Sequence, residues 1–172
     1  MNPFAIRCCR ILSLAFALDA GITAIAHAAA APCTPPPPDA LATSWQAFRA
    51  AALAGDPVKV AAHYRFPLKL LPAYDDGKPL VIARPVFLHN YAVLFRQGPA
   101  DSEIALYTAL KKSKGAEKIP AYVFDTARCQ ALARIADYEF SYRRDSGWKI
   151  GAVFYAGDYD MAKYYEVDRI VP

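Results

Sequence analysis

The chain has 172 residues, of which 55% are apolar, and carries 20 Lys+Arg against 16 Asp+Glu for a formal net charge of +4. That length suits one small globular domain. The mild basic excess is not gathered into runs beyond Lys111-Lys112 with Lys114 and Lys118, a solvated helix end and loop, so no nucleic-acid partner is expected.

The N-terminus has the three parts of a secretory leader. Arg7 and Arg10 precede an apolar run from Ile11 to Leu18, and Ala26-His27-Ala28 is a small-x-small cleavage site, with Ala28-Ala29-Ala30 as a second. Asp19 at the end of the run weakens insertion, and a retained anchor is the competing reading. The run is too short to span a bilayer, which takes about 20 apolar residues. The expected organisation is a signal peptide over 1–28, a Pro-rich strap over 29–40 and a single domain over 41–172. The expected location is periplasmic or secreted, with no membrane span after processing.

Cleavage removes Cys8 and Cys9 and leaves Cys33 and Cys129. In an oxidising compartment the simplest outcome is one disulfide between them. Two separate buried thiols, or a lipidated Cys33, are the alternatives; Pro32 just before Cys33 fits lipidation poorly.

Pro35 to Pro38 read as a stiff extended strap. Asp39 or Thr43 then caps a helix whose Leu41, Trp45, Phe48 and Ala52 share one face. Gly55 stops it, and Asp56-Pro57 starts a short second helix from Val58 to about His63. Phe66-Pro67 breaks that segment. Leu68–Leu71 and Leu80–Ile82 read as strands around an Asp75-Asp76-Gly77-Lys78 turn. Arg84-Pro85 opens a third helix with Phe87, Tyr91, Leu94 and Phe95 on one face. Asp101 or Ser102 caps a fourth to about Leu110, followed by loop through Lys118.

The last third reads as β. Tyr122 to Phe124 adds a short strand. Leu132 to Tyr142 alternates as one long strand, Ala136, Tyr138, Phe140 and Tyr142 to one side and Asp137, Glu139, Ser141 and Arg143 to the other. Asp145-Ser146-Gly147 turns the chain into a second long strand with Trp148, Ile150, Ala152 and Phe154 on one face. Residues 158–172 are a last helix or an irregular tail.

Trp45-x-x-Phe48 with Gly55-Asp56, then Phe66-Pro67, then Phe87-x-x-x-Tyr91, and finally Tyr138-x-Phe140 to Gly147-Trp148-Lys149-Ile150 resemble the nuclear transport factor 2-like superfamily, which includes ketosteroid isomerase and the polyketide cyclases. The helix, Gly-Asp and Phe-Pro pattern is similar to exported bacterial members. The resemblance spans about residues 41–156. It implies an α+β fold, a cone-shaped curved antiparallel sheet wrapped by three to four N-terminal helices, with a pocket at the cone's open end and dimerisation through the outer sheet face. It carries no activity, because the fold hosts enzymes and binders alike, and the isomerases' Asp base and oxyanion pair have no counterparts that map residue by residue.

The candidate catalytic residues are His63 and His89, each a general base oriented by a neighbouring Tyr64 or Tyr91; a packed or half-exposed helix histidine is the structural alternative. The candidate ligand-binding residues are Trp45, Tyr138, Phe140, Tyr142 and Trp148. Asp158-x-Asp160 reads as solvated carboxylates, with a divalent-cation pair as the alternative, and Asp137/Glu139 as a cross-sheet charge set meeting Arg143 or a basic residue across the hairpin, with a paired-carboxylate catalyst as the alternative; no metal or cofactor is expected. Tyr155, Tyr159, Tyr164 and Tyr165 crowd the C-terminal end and would suit partner contact. The leading expectation is an exported small-ligand-binding or interaction module, taking a small apolar ligand or a protein partner. A small isomerase, cyclase or hydratase, and a periplasmic inhibitor or immunity protein, are the alternatives.

Overall fold

A computed structural model describes residues 33–72, 78–92 and 105–154. The expected leader, most of the expected Asp75-Asp76-Gly77-Lys78 turn, Leu94 and Phe95, the cap at Asp101 or Ser102, and the tyrosine-rich tail with Asp158 and Asp160 lie outside the described residues. Helix α1 runs Ala40–Ala54 and buries Leu41, Trp45, Phe48 and Ala52, the face its spacing predicts. Asp39 occupies the cap position without a side-chain bond; the turn is closed by the backbone, with Ala40 N donating to Pro37 O at 3.0 Å and Thr43 N to Asp39 O at 2.9 Å. Gly55 ends the helix with φ 72°, a left-handed conformation that costs glycine no steric penalty. Asp56 Oδ1 then accepts from Val58 N at 3.0 Å and Lys59 N at 3.1 Å and starts α2, Pro57–Ala61.

Phe66-Pro67 does not end a segment, as the sequence suggested. It lies, with a cis peptide bond, inside strand β1, Tyr64–Leu71. Proline removes a ladder donor and is confined to places where none is needed. Pro67 meets that condition because the ladder is interrupted there, passing from Tyr64 opposite Ile150 to Lys69 opposite Ala152. Strand β2, Leu80–Ile82, returns antiparallel, with Leu68 opposite Ile82 and Leu70 opposite Leu80. Helix α3, Arg84–Tyr91, buries Phe87 and Tyr91. Helix α4, Ala105–Ser113, runs past Leu110 into the expected loop. Lys111 and Lys112 occupy its last turn, where the helix dipole favours cations.

The remaining strands are β3, Phe124–Asp125, β4, Gln130–Ile135, β5, Tyr138–Arg143, and β6, Gly147–Phe154. Together they make an α+β fold with an open, mixed sheet of order β2-β1-β6-β5-β4-β3. Neighbours are antiparallel except β1 and β6, so the sheet is not wholly antiparallel. The chain between β1 and β6 is long enough for the crossover that a parallel pair requires.

Two expectations for the late strands are corrected. The run from Leu132 to Tyr142 is a hairpin, with Ile135 opposite Tyr138 across a two-residue turn at Ala136-Asp137. Ala136 takes φ 49°. The turn inverts the parity, so Ala131, Ala133 and Ile135 face inward on β4, Tyr138 and Phe140 on β5, and Leu132 points out. On β6 the inward set is Trp148, Ile150 and Val153, not Ala152 and Phe154. Glu139 pairs with Ala152 but Phe140 pairs with Ile150, so Gly151 is an extra residue, a bulge that reverses the alternation beyond it. Phe154 instead lies beneath the Arg134 guanidinium, 3.7 Å from the ring centroid.

The core fills the space between helices and inner sheet face. Trp45 stacks on Tyr138 at 5.5 Å and Phe140 at 6.1 Å, Phe48 meets Tyr138 at 4.8 Å, and Tyr64 meets Phe87 at 5.1 Å. Cys33 and Cys129 form a disulfide across a sequence separation of 96, with Cα atoms 5.6 Å apart. This decides between the three readings of the thiols. It pins the strap beside the β3–β4 turn, and Pro36 is buried on the way to α1. The bond is compatible with an oxidising location outside the cytoplasm. No helix of the described residues is long and apolar enough to cross a membrane.

Candidate functional site

The interior offers little room. Phe48 and Leu110 together with Tyr64, Tyr91, Tyr107 and Tyr138 surround a hollow of only about 10 Å³, at the lower limit for a single water. Burial pushes the Tyr64 hydroxyl well above the ordinary phenol range, with Tyr91 adding to it; burial does the same to Tyr138, with Tyr64 contributing. Both phenols therefore stay neutral, as donors and acceptors and not as bases.

Behind this hollow a polar cluster ties α1 to the chain after α4. Glu117 is 8% exposed and lies 3.6 Å from Arg49 Nε through Oε1. Ser113 Oγ donates to the same oxygen, and Arg49 Nη2 donates to Leu110 O at 2.7 Å. Burial alone would raise the Glu117 carboxyl. The bonds from Ser113, its own backbone amide and the Trp45 indole, with the Arg49 charge, outweigh burial and hold it below its ordinary value. The indole contact is incomplete, since Trp45 Nε1 and Glu117 Oε2 close no bond of normal geometry. The cluster secures a helix packing and faces no open hollow.

Neither candidate histidine lines any of the three hollows described here. His89 is exposed at the end of α3. His63 is half-buried, with its ring edge-on to Phe48 at 6.1 Å. Burial lowers its pKa, and Lys149 lowers it further. Tyr64 and Tyr91 are core residues flanking Phe87, at 5.1 and 5.6 Å. The ligand-binding candidates divide in two. Trp45, Tyr138, Phe140 and Trp148 are buried in the core, and Tyr142 is partly buried at its edge. Tyr142 and Trp148 stack at 5.6 Å nearer the disulfide end, and Tyr122 covers Trp148 at 4.9 Å.

Space opens at the surface instead. A groove of about 530 Å³ lies along β3, the β3–β4 turn and the outer side of β4. Its apolar lining includes Tyr122, Val123 and Leu132, and its polar groups are Asp125, Arg128 and Gln130. Val123 is 88% and Leu132 63% exposed. Asp125 is fixed in the turn, accepting from Ala127 N at 2.9 Å and Arg128 N at 3.0 Å and pairing with the Arg128 guanidinium at 3.2 Å. The adjoining disulfide braces this rim. A second concavity of about 530 Å³ lies on the outer sheet face, where Arg65, Lys69 and Arg143 surround Gly151. Among the described residues no three His, Cys, Asp or Glu side chains converge as a metal site would require.

Arg49, Glu117 and Arg65 were not singled out from the sequence. Arg49 falls one place after Phe48 on α1 and so beside its apolar face, which is the one signal that pointed to a buried partner. No protein-family model matches the chain, and no match emerges from the curated proteins.

Proposed function

We propose that this chain is an exported binding module, periplasmic or secreted and of the nuclear transport factor 2-like type, that takes a small apolar ligand in the disulfide-braced groove at its surface. Support for the family reading is the order of two helices, a short hairpin, two further helices and a late antiparallel meander. The binding reading is carried by one contrast. The interior hollow is nearly closed, whereas Val123 and Leu132 stand exposed in an open groove within the size range of small-ligand sites. Val123 and Leu132 are the two most exposed of the large apolar side chains among the described residues, and both line the same groove. Neither His63 nor His89 is placed to act on a ligand there, so no catalytic step is assigned.

The neutral probe N-phenyl-1-naphthylamine tests this. Its fluorescence should rise saturably with the folded protein, and Trp148 emission should change in parallel because Tyr122 joins that indole to the groove. Val123→Ser with Leu132→Ser removes apolar area worth about 3 kcal/mol when fully covered and should weaken the probe about tenfold or more. No saturable signal, or an unchanged one in the double variant, would overturn the proposal.

A further inference from the structure

We infer that the concavity on the outer sheet face is an anion site, built to hold an oxyanion of the phosphate-ester class. It is separate from the apolar groove and does not depend on it.

The geometry starts from two sheet irregularities that meet. On one side, residues 65–68 of β1 stand between the pairs Tyr64–Ile150 and Lys69–Ala152; on the other, β5 passes directly from Phe140–Ile150 to Glu139–Ala152. Gly151 is the residue left over in both ladders. A flat sheet face has no room for a ligand, but this one is dished to about 530 Å³ around a position with no side chain. A Cβ built on Gly151 would meet only Ser141 Oγ, at 3.7 Å.

Three cations from two strands surround the dish: Arg65 and Lys69 from β1 and Arg143 from the end of β5. Glu139 is the only acid in the lining. Among the described residues none of the three cations forms an ion pair. Arg65 Nη2 donates to Ser146 Oγ at 3.1 Å, which orients the guanidinium, while its buried Nε has no partner. Burial and the nearby Arg143 charge both depress the Arg65 pKa, against a smaller opposing effect of Asp145. Like charges so placed repel, and the repulsion persists until an anion joins them. Three positive groups against Glu139, with Asp145 offsetting part of the charge at Arg65, leave a positive dish that suits the oxygens of a phosphate monoester. Guanidinium forks match its oxygens, and the exposed Pro67 ring offers an apolar edge to the organic part.

The test measures binding of sn-glycerol 3-phosphate by calorimetry at constant ionic strength, with chloride as control and phosphatidic acid-doped neutral vesicles as a second arm. Saturable binding of the soluble ester, or of the vesicles alone, supports the site and tells a free ester from a lipid headgroup. Lys69→Gln with Arg143→Gln alters two exposed side chains and should weaken binding about tenfold or more. Gly151→Leu should block it by filling the dish, with circular dichroism confirming that both variants fold. Binding no stronger than chloride, or equal binding by wild type and the Gln pair, would overturn the inference. Failure here with the naphthylamine probe still bound leaves the apolar groove standing.

Discussion

Replacing Cys33 and Cys129 by serine should lower stability by an amount that the loop they close sets. The bond spans a sequence separation of 96. Chain-entropy arithmetic for a loop of that length gives about 4.7 kcal/mol at 25 °C, as a ceiling. For a domain of this size each kcal/mol shifts the melting temperature by about 3–4 °C, so the loss should approach about 15 °C. A small further loss comes from Pro36, whose buried position depends on a strap pinned at both ends. The assay is thermal unfolding followed by circular dichroism, on the serine pair and on wild type with and without reductant. The reduced wild type and the serine pair should agree. A drop below about 4 °C would refute the reasoning, because it would mean that the unfolded chain gains little freedom when the bond is removed.

Two further outcomes follow from the titrating groups. Glu117→Gln keeps the shape of the side chain but removes the charge facing Arg49, and should cost about 1–2 kcal/mol in urea unfolding; in an Arg49→Met background the same change should cost much less, and equal costs in the two backgrounds would remove Glu117 as the partner of Arg49. His63 has a folded pKa below its ordinary value of 6.5, so the unfolded chain binds the proton first as pH falls. The stability that neutral His63 allows is therefore present above pH 6.5 and declines as the pH drops from there through the folded pKa; His63→Gln should flatten that part of the stability curve, and an unchanged slope would count against the half-buried ring.

Much of the helical half was legible because its signals are local. Gly55-Asp56-Pro57 writes a stop, a cap and a start in three consecutive residues, and the Leu41, Trp45, Phe48 and Ala52 stripe needs only one helix to be read. The hairpin at Gly147 was equally plain. The β4–β5 turn was not, since Ala136-Asp137 lacks the glycine or asparagine that usually marks a left-handed position. Its trace was the parity change between Ala131, Ala133, Ile135 and Tyr138, Phe140. The bulge at Gly151 was signalled only by a glycine inside a strand.

The sites were less legible than the fold, for a physical reason. Aromatic residues at Trp45, Tyr138 and Phe140 look the same in a sequence whether they line a pocket or fill a core, and here they fill it. The outer concavity draws Arg65, Lys69 and Arg143 together through two register shifts. No spacing along the chain encodes that, because the shifts belong to pairings between distant strands.

The parallel pairing of β1 with β6 has a consequence for how the molecule is made. Among the described strands the first to be synthesised finds its central neighbour in the last, so the middle seam of the sheet stays open until Phe154 has left the ribosome. Until then the chain holds only a hairpin on one side and an unfinished meander on the other, with the aromatic faces of both uncovered. Pairing strands so far apart in sequence makes folding slow, because the loop between them must close before the contact forms. The strand order thus puts completion of the sheet, and closure of the Cys33–Cys129 disulfide upon it, late in the life of the new chain.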